Sequence, residues 1–471
     1  MCIQTIANSV SESKMSTSKK WFYLSLFSLV LAGILALILV IGRAPYVNQL
    51  IYSPSWAKKC LVIHVNLALG VWFFAFFMSI WSLVYEVPRW PFYLAFLGTG
   101  LFAVAAFFLP GNPVLSNYIP ALDQPVFQIG IFLFYLAVAF AIIFSFFSGK
   151  KELALRSLPY GTILGLQVAA FGYLLAFGLF ILTFFLVPTS WKARPYYEML
   201  FWGPGHLLQL VHMASMTSLW IFFISRLLQK DLLPRWGFQT LYSLLLIPML
   251  ITPFLYIHGI NDALYYRGFT KIMRWGTWPM ATLLSCILFW HLTNAGFRRF
   301  KSSPIFWGFS ASFLLMALGF FLGAMISRST TLIPAHYHAA IGAVTLAYMT
   351  MTYPLLRSFG LGQKILGPKI TSLQPVFFGL GQAIFALGFA YGGIHGLARK
   401  VYGHEQQIRT TEEYIGLAIM GVGGCLAIIG GILFLYLAGK SIFDGPLEEK
   451  EKKDHLTPEN NEKVIVEFQV Y

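Results

Sequence analysis

The chain has 471 residues, of which 58% are hydrophobic and only 11% charged, a balance that excludes an ordinary soluble globular domain. Its formal net charge of +15 raises nucleic acid as a partner. The Lys and Arg residues, however, crowd one side of the apolar segments, so membrane topology and attraction to anionic lipid account for the excess. Membrane lipid is therefore an expected partner and nucleic acid is not.

Residues 1–20 are polar and read as a solvated tail. Within 21–442 lie twelve apolar segments, each offering the roughly 20 residues that a helix needs to cross a bilayer. They centre near Leu31, Gly70, Gly100, Leu136, Tyr173, Ser215, Leu246, Leu284, Leu314, Val344, Gln382 and Leu426. Residues 443–471 form a second polar tail. Trp21–Ile41 is too long for the apolar core of a signal peptide, and no small-residue cleavage site follows it. With both termini on the more basic side, the positive-inside rule places both tails in the cytoplasm. The expected class is an all-α integral membrane protein with twelve transmembrane helices. Cys2, Cys60, Cys286 and Cys425 form no Cys-x-x-Cys pair, which leaves no c-type heme attachment motif, zinc ribbon or disulfide framework. Electrons entering this chain come from another subunit or a carrier.

The histidines carry the functional signal. His336 and His338 open the tenth segment, two residues and roughly 200° apart on a helix. They cannot share one metal, but one helix can present a ligand to each of two cofactors. His64 lies early in the second segment, His206 early in the sixth and His258 at the end of the seventh. The alternating topology brings all five to one depth near the outer face, and a layer of polar residues at membrane depth signals cofactor ligation or a pathway. His291, His395, His404 and His455 read as interfacial or solvated. His212, six residues beyond His206 and about 240° round the helix, reads as a packed core histidine.

These positions resemble subunit I of the heme-copper oxidase superfamily, which includes the nitric oxide reductases. The resemblance implies twelve helices in the subunit I arrangement, with 21–442 as the heme-binding domain. It implies two b-type-like hemes, one low-spin and one high-spin, beside a non-heme iron or copper. By this match His336 is the axial ligand of the high-spin heme, and His64 and His338 are those of the low-spin heme. The segment Phe201-Trp-Gly-Pro-Gly-His is similar to the sixth-helix motif that makes His206 a ligand of the non-heme metal, and His258 falls where further metal ligands belong. Arg399 and Lys400, in Gly396-Leu-Ala-Arg-Lys-Val-Tyr, match a basic pair that neutralises heme propionates.

Two departures bear on function. Gly259 follows His258 where the family has a second adjacent histidine, and Leu210 stands where oxidases often place a cross-linked tyrosine. Replacement ligands are at hand. Gln209 lies about 60° round the helix from His206. Asp262 sits one turn beyond His258 if the seventh helix continues. With His206 and His258 it makes a two-His, one-carboxylate set suited to non-heme iron. Glu198 is a candidate metal ligand or outer-face proton entry; the alternative for both acids is a solvated side chain or a pair with Arg194 or Arg267. Joining two NO molecules into N₂O takes two electrons and two protons and does not call for the tyrosine. The expected function is therefore NO reduction in a bacterial cytoplasmic (inner) membrane, without proton pumping. The electron donor is a cytochrome c, a cupredoxin or a quinol, and a small second subunit is allowed. Dioxygen reduction, NO dismutation, and a heme-binding sensor or electron-transfer role are the alternatives.

Overall fold

The architecture is a computed structural model that describes residues 2–50, 53–151, 158–361 and 368–443, with the backbone alone at 2–16 and 368. Among the described residues, twelve long helices run in chain order. They are α1 (Cys2–Ile41), α2 (Pro54–Val84), α3 (Trp90–Phe108), α4 (Pro125–Ser148), α5 (Tyr160–Leu186) and α6 (Ala193–Leu228). The second half comprises α7 (Arg235–Tyr256), α8 (Trp278–Ala295), α9 (Pro304–Ala324), α10 (Leu332–Ser358), α11 (Pro368–Ile394) and α12 (Thr411–Phe443). A short helix, Ala263–Gly276, lies between α7 and α8. Proline opens several of them, as Pro54, Pro91, Pro125, Pro279 and Pro304, where its missing N–H removes no intrahelical bond.

Among the described residues, eleven helices are long and apolar enough to cross a membrane. The twelfth expected span is α8, only 18 residues long and less apolar, with His291 and Asn294 near its end. Large side chains such as Phe96, Phe147 and Phe185 point outward, as a lipid-facing surface requires. The first helix reaches back to Cys2, so the polar tail expected over 1–20 is not solvated at its membrane end. Thr17 and Ser18 are buried, and Ser18 Oγ donates to the Ser79 carbonyl at 2.7 Å while Ser79 Oγ donates to that of Ser18 at 2.9 Å. Residues 444–471 of the expected C-terminal tail lie outside the described residues.

Small residues let α11 and α12 pack backbone to backbone. A Cβ built on Gly388 would meet Met420 N at 2.3 Å, one on Gly423 would meet Phe385 N at 2.2 Å, and one on Gly430 would meet Phe378 N at 2.4 Å. Such close approach replaces the hydrophobic driving force that helices lack in lipid.

One loop shapes the end of the bundle that carries the histidines. Residues 109–124, between α3 and α4, fold into a small antiparallel hairpin, β1 (Asn112–Val114) with β2 (Ala121–Asp123). It is tied to α2 by the buried Asn66, whose Nδ2 donates to Val62 O at 2.8 Å and to Pro120 O at 2.7 Å. Asn66 begins a π-helical turn, Asn66–Val71, two residues after His64; such turns mark functional regions of helices.

Gly423→Leu should drive α11 and α12 apart and destabilise the protein by about 1–3 kcal/mol or more. Gly431→Leu, at a position with nothing within 4 Å of an added Cβ, should leave the thermal transition of the detergent-purified protein unchanged. Equal transitions for the two variants would refute this packing.

Candidate functional site

Two histidines of the layer are each oriented by the helix beside them. His64 Nδ1 lies 2.9 Å from the Ala32 carbonyl on α1. His336 Nδ1 lies 2.7 Å from the Gly319 carbonyl on α9. A main-chain carbonyl only accepts, so in each ring Nδ1 carries the proton and Nε2 keeps its lone pair. This is the outer-shell arrangement typical of metal-bound histidine. Gly323 leaves room for His336, since a Cβ there would meet its Nδ1 at 2.8 Å. His338 packs on Phe385 and Phe389 of α11 with ring centroids 4.5 and 6.3 Å away. His64, His336 and His338 are enclosed by the bundle yet keep some accessible surface.

The sixth-helix motif is built for close approach. Tyr265, from the short helix Ala263–Gly276, inserts its hydroxyl into the α6 ladder just before Pro204. It donates to Met199 O at 2.9 Å and accepts from Gly203 N at 3.1 Å. Trp202 stacks on Tyr266 at 4.1 Å and donates Nε1–H to the Tyr266 carbonyl at 3.1 Å. His206 is fully enclosed. Its Nδ1 donates to Trp202 O at 2.6 Å, and its Nε2 lies 2.7 Å from the hydroxyl of Tyr118, carried by the 109–124 loop. Burial pushes the Tyr118 phenol well above its usual range, so its O–H donates to the imidazole. Gly205 makes this possible, because a Cβ there would stand 2.4 Å from that of Tyr118.

The remaining expected ligands are dispersed. His258 is exposed. The continuous seventh helix that would align it with Asp262 does not form: the chain tightens into a 3₁₀ turn at Thr252–Tyr256, after which Gly259 takes φ +80°. Asp262 caps the next helix instead, accepting from Leu264 N at 2.7 Å, a role that Asp fills readily. Gln209 is partly buried on α6, one turn past His206. Among the described residues no three His, Cys, Asp or Glu side chains converge on a metal position. Glu198 binds the loop rather than a neighbouring arginine: its carboxylate accepts from Asn117 N at 3.1 Å and from Asn117 Nδ2.

Lys400 reaches the same loop, donating to Leu115 O, to Ser116 O at 3.4 Å and to Asn117 Oδ1 at 3.1 Å, from a left-handed backbone with φ +62°. Arg399 donates to Ser329 Oγ at 3.0 Å. Sequence reasoning missed Arg43, which is buried and donates to Val401 O at 2.7 Å and Ala398 O at 3.0 Å, so a third cation steadies the segment that carries the basic pair. It also missed Tyr118, for which the two glycines flanking Pro204 were the available signal of close approach. Beside the site, a cavity of about 470 Å³ runs between α4, α5 and α6, lined by Phe132, Phe177, Phe180 and Phe201 and reaching Pro204 and Leu208.

Three comparisons bear on these features. No protein-family model matches the chain. An uncharacterised protein of Rickettsia prowazekii (strain Madrid E) is 26% identical, covering 91% of this chain and 96% of the relative. An uncharacterised protein of Aquifex aeolicus (strain VF5) is 28% identical over 73% of this chain and 86% of that one. Among solved structures, a heme-copper terminal oxidase dimer determined by cryo-electron microscopy is similar with a TM-score of 0.71. That likeness covers 92% of this chain and 85% of that one, at 16% identity. The helices of this chain therefore adopt the heme-copper oxidase fold.

Burial, reinforced by the neighbouring Arg399 and partly offset by Glu198, pushes the Lys400 ammonium down to about 8. Its charge is therefore present below that pH and lost above it. Competitive acylation followed by mass spectrometry should show Lys400 half-reactive near pH 8, while exposed lysines titrate near their ordinary value of about 10.4. A Lys400 profile coinciding with those lysines would contradict its placement.

Proposed function

On the fold of a heme-copper oxidase, we propose that the chain is a membrane oxidoreductase that reduces NO to N₂O at a heme. The carrying observation is the set His64, His336 and His338: two rings with Nδ1 committed to a main-chain carbonyl, all three only partly buried within the bundle. This donor set fits two hemes, one held by His64 and His338 and one by His336. Hemes bound there would supply gas binding and one-electron transfer. The chain's own part is to fix the ring planes, keep bulk water out and bring a small apolar molecule to the site. The aromatic cavity between α4, α5 and α6 suits that last task. Glu198, partly exposed beside the 109–124 loop, is the proposed entry for the two protons that accompany two electrons. Arg399 and Lys400 are the proposed partners of heme propionates, together with an external donor (cytochrome c, cupredoxin or quinol) and a bacterial inner membrane with both termini cytoplasmic.

Dioxygen reduction is the second reading, favoured by one contact. Tyr118 sets a phenol beside His206, the type of side chain whose replacement by Leu210 on α6 placed NO ahead.

Anaerobically reduced protein should form N₂O from NO without consuming O₂, and His64→Ala or His338→Ala should abolish the low-spin heme spectrum and cut turnover at least about a hundredfold. O₂ uptake without N₂O would transfer the conclusion to the oxidase reading. Intact hemes with neither activity would reduce the chain to a heme sensor or electron carrier.

A further inference from the structure

The loop that covers His206 is built in two parts, a fixed stem and a tip held only by side chains. In the stem Val114 pairs with Ala121, and both are buried in the apolar core together with Leu122. Asn66 on α2 secures the root through Pro120 O at 2.7 Å. Residues 115–119 form the tip, and among the described residues no main-chain hydrogen bond joins them to a helix. We propose that this tip is a gate, latched by Asn117, that swings as a unit about its stem to cover or uncover His206 Nε2.

The shut position is the one observed. Tyr118 lays its ring over His206 with centroids 4.5 Å apart and brings its hydroxyl to Nε2 at 2.7 Å. Since Nδ1–H is held by Trp202 O at 2.6 Å, the Tyr118 bond occupies the remaining nitrogen and bars any other molecule from it. Gly205 lets the ring seat this deeply, because a Cβ there would lie 2.3 Å from Tyr118 Cγ. Ile119, the next residue, lines the aromatic cavity between α4, α5 and α6. One movement of the tip therefore opens the cavity wall and uncovers the ring together.

The latch lies away from the ring it controls. Asn117 is exposed and sits between opposite charges on two separate elements. Its main-chain N–H donates to the Glu198 carboxylate on α6 at 3.1 Å and its Nδ2 donates to the same group, while its Oδ1 accepts from Lys400 of the α11–α12 loop at 3.1 Å. Lys400 also donates to Leu115 O and, at 3.4 Å, to Ser116 O. Charge-assisted bonds hold firmly while intact, yet water at this exposed position replaces them once broken, so the tip opens at a cost far below that of unfolding the bundle. Inside the tip, Ser116 Oγ donates to Ile119 O and Ser116 N to Val114 O at 3.0 Å. These bonds keep its turn together as it moves. The gate goes beyond the functional reading above and does not depend on which gas is reduced.

Diethyl pyrocarbonate acylates accessible imidazole nitrogens, and peptide mass spectrometry reads the extent at each histidine of the full chain in detergent. His206 should react slowly in the wild type. Asn117→Ala, which removes side-chain bonds to Glu198 and Lys400, should speed its modification at least about tenfold. His212, deeper on α6 and packed on Phe73 and Phe74 with centroids 4.8 and 5.1 Å away, should stay unreactive in both. Equal His206 rates in the two proteins would overturn the gate, as would a rise at His212 matching that at His206, which marks a loosened bundle. Hydrogen exchange on the wild type tests the gate without any variant. The Asn117 amide should exchange at least about tenfold faster than the α6 amides around His206, through local opening. Exchange as slow as that of α6 would make the tip a fixed part of the bundle and end the proposal.

Discussion

The structure depends on how buried imidazoles dispose of their ring protons. In a bundle surrounded by lipid an unpaired N–H is costly, and water is not there to take it. His64, His206 and His336 each give Nδ1–H to a main-chain carbonyl, at Ala32, Trp202 and Gly319. Two of these carbonyls belong to a neighbouring helix. The bond therefore orients the ring and at the same time ties α2 to α1 and α10 to α9. Because one nitrogen is fixed, the direction of the other is fixed as well. A shift of either helix along its neighbour would turn the rings and lose the pairing together.

A second constraint is the route by which polar groups enter an apolar end of the bundle. The 109–124 loop carries its own hairpin, yet its position is set from outside by Asn66, Glu198 and Lys400. Lys400 adopts a left-handed backbone to reach it, a conformation uncommon for a residue with a side chain. Arg43 in turn anchors the segment from Ala398 to Val401. The basic segment, the loop and the α6 motif are thus linked in one polar network.

The candidate site was legible where it rests on local spacing. The His-x-His pair on one helix and the Gly-Pro-Gly-His turn are contiguous, and helical periodicity alone orients them. The alignment of Asp262 with His258 failed for a local reason that was also legible: Pro253 and Gly259 interrupt α7, and Asp262 precedes an amphipathic run as N-cap residues do. Reading Asp262 as one turn beyond His258 assumed a helix that these residues break. The amphipathic helix Ala263–Gly276 was absorbed into a connection, and its Tyr265 and Tyr266 prove to shape the motif on α6.

By itself the sequence determined the membrane class and the run of helices, because length, apolarity and 3.6-residue periodicity act within one segment. Only the tertiary structure decided what each ring touches. Tyr118 meets His206 across 88 residues of chain, and Lys400 meets Asn117 across 283. Contacts of that range follow from how helices pack and where a loop is pinned, and neither is encoded in the neighbourhood of the residues that meet.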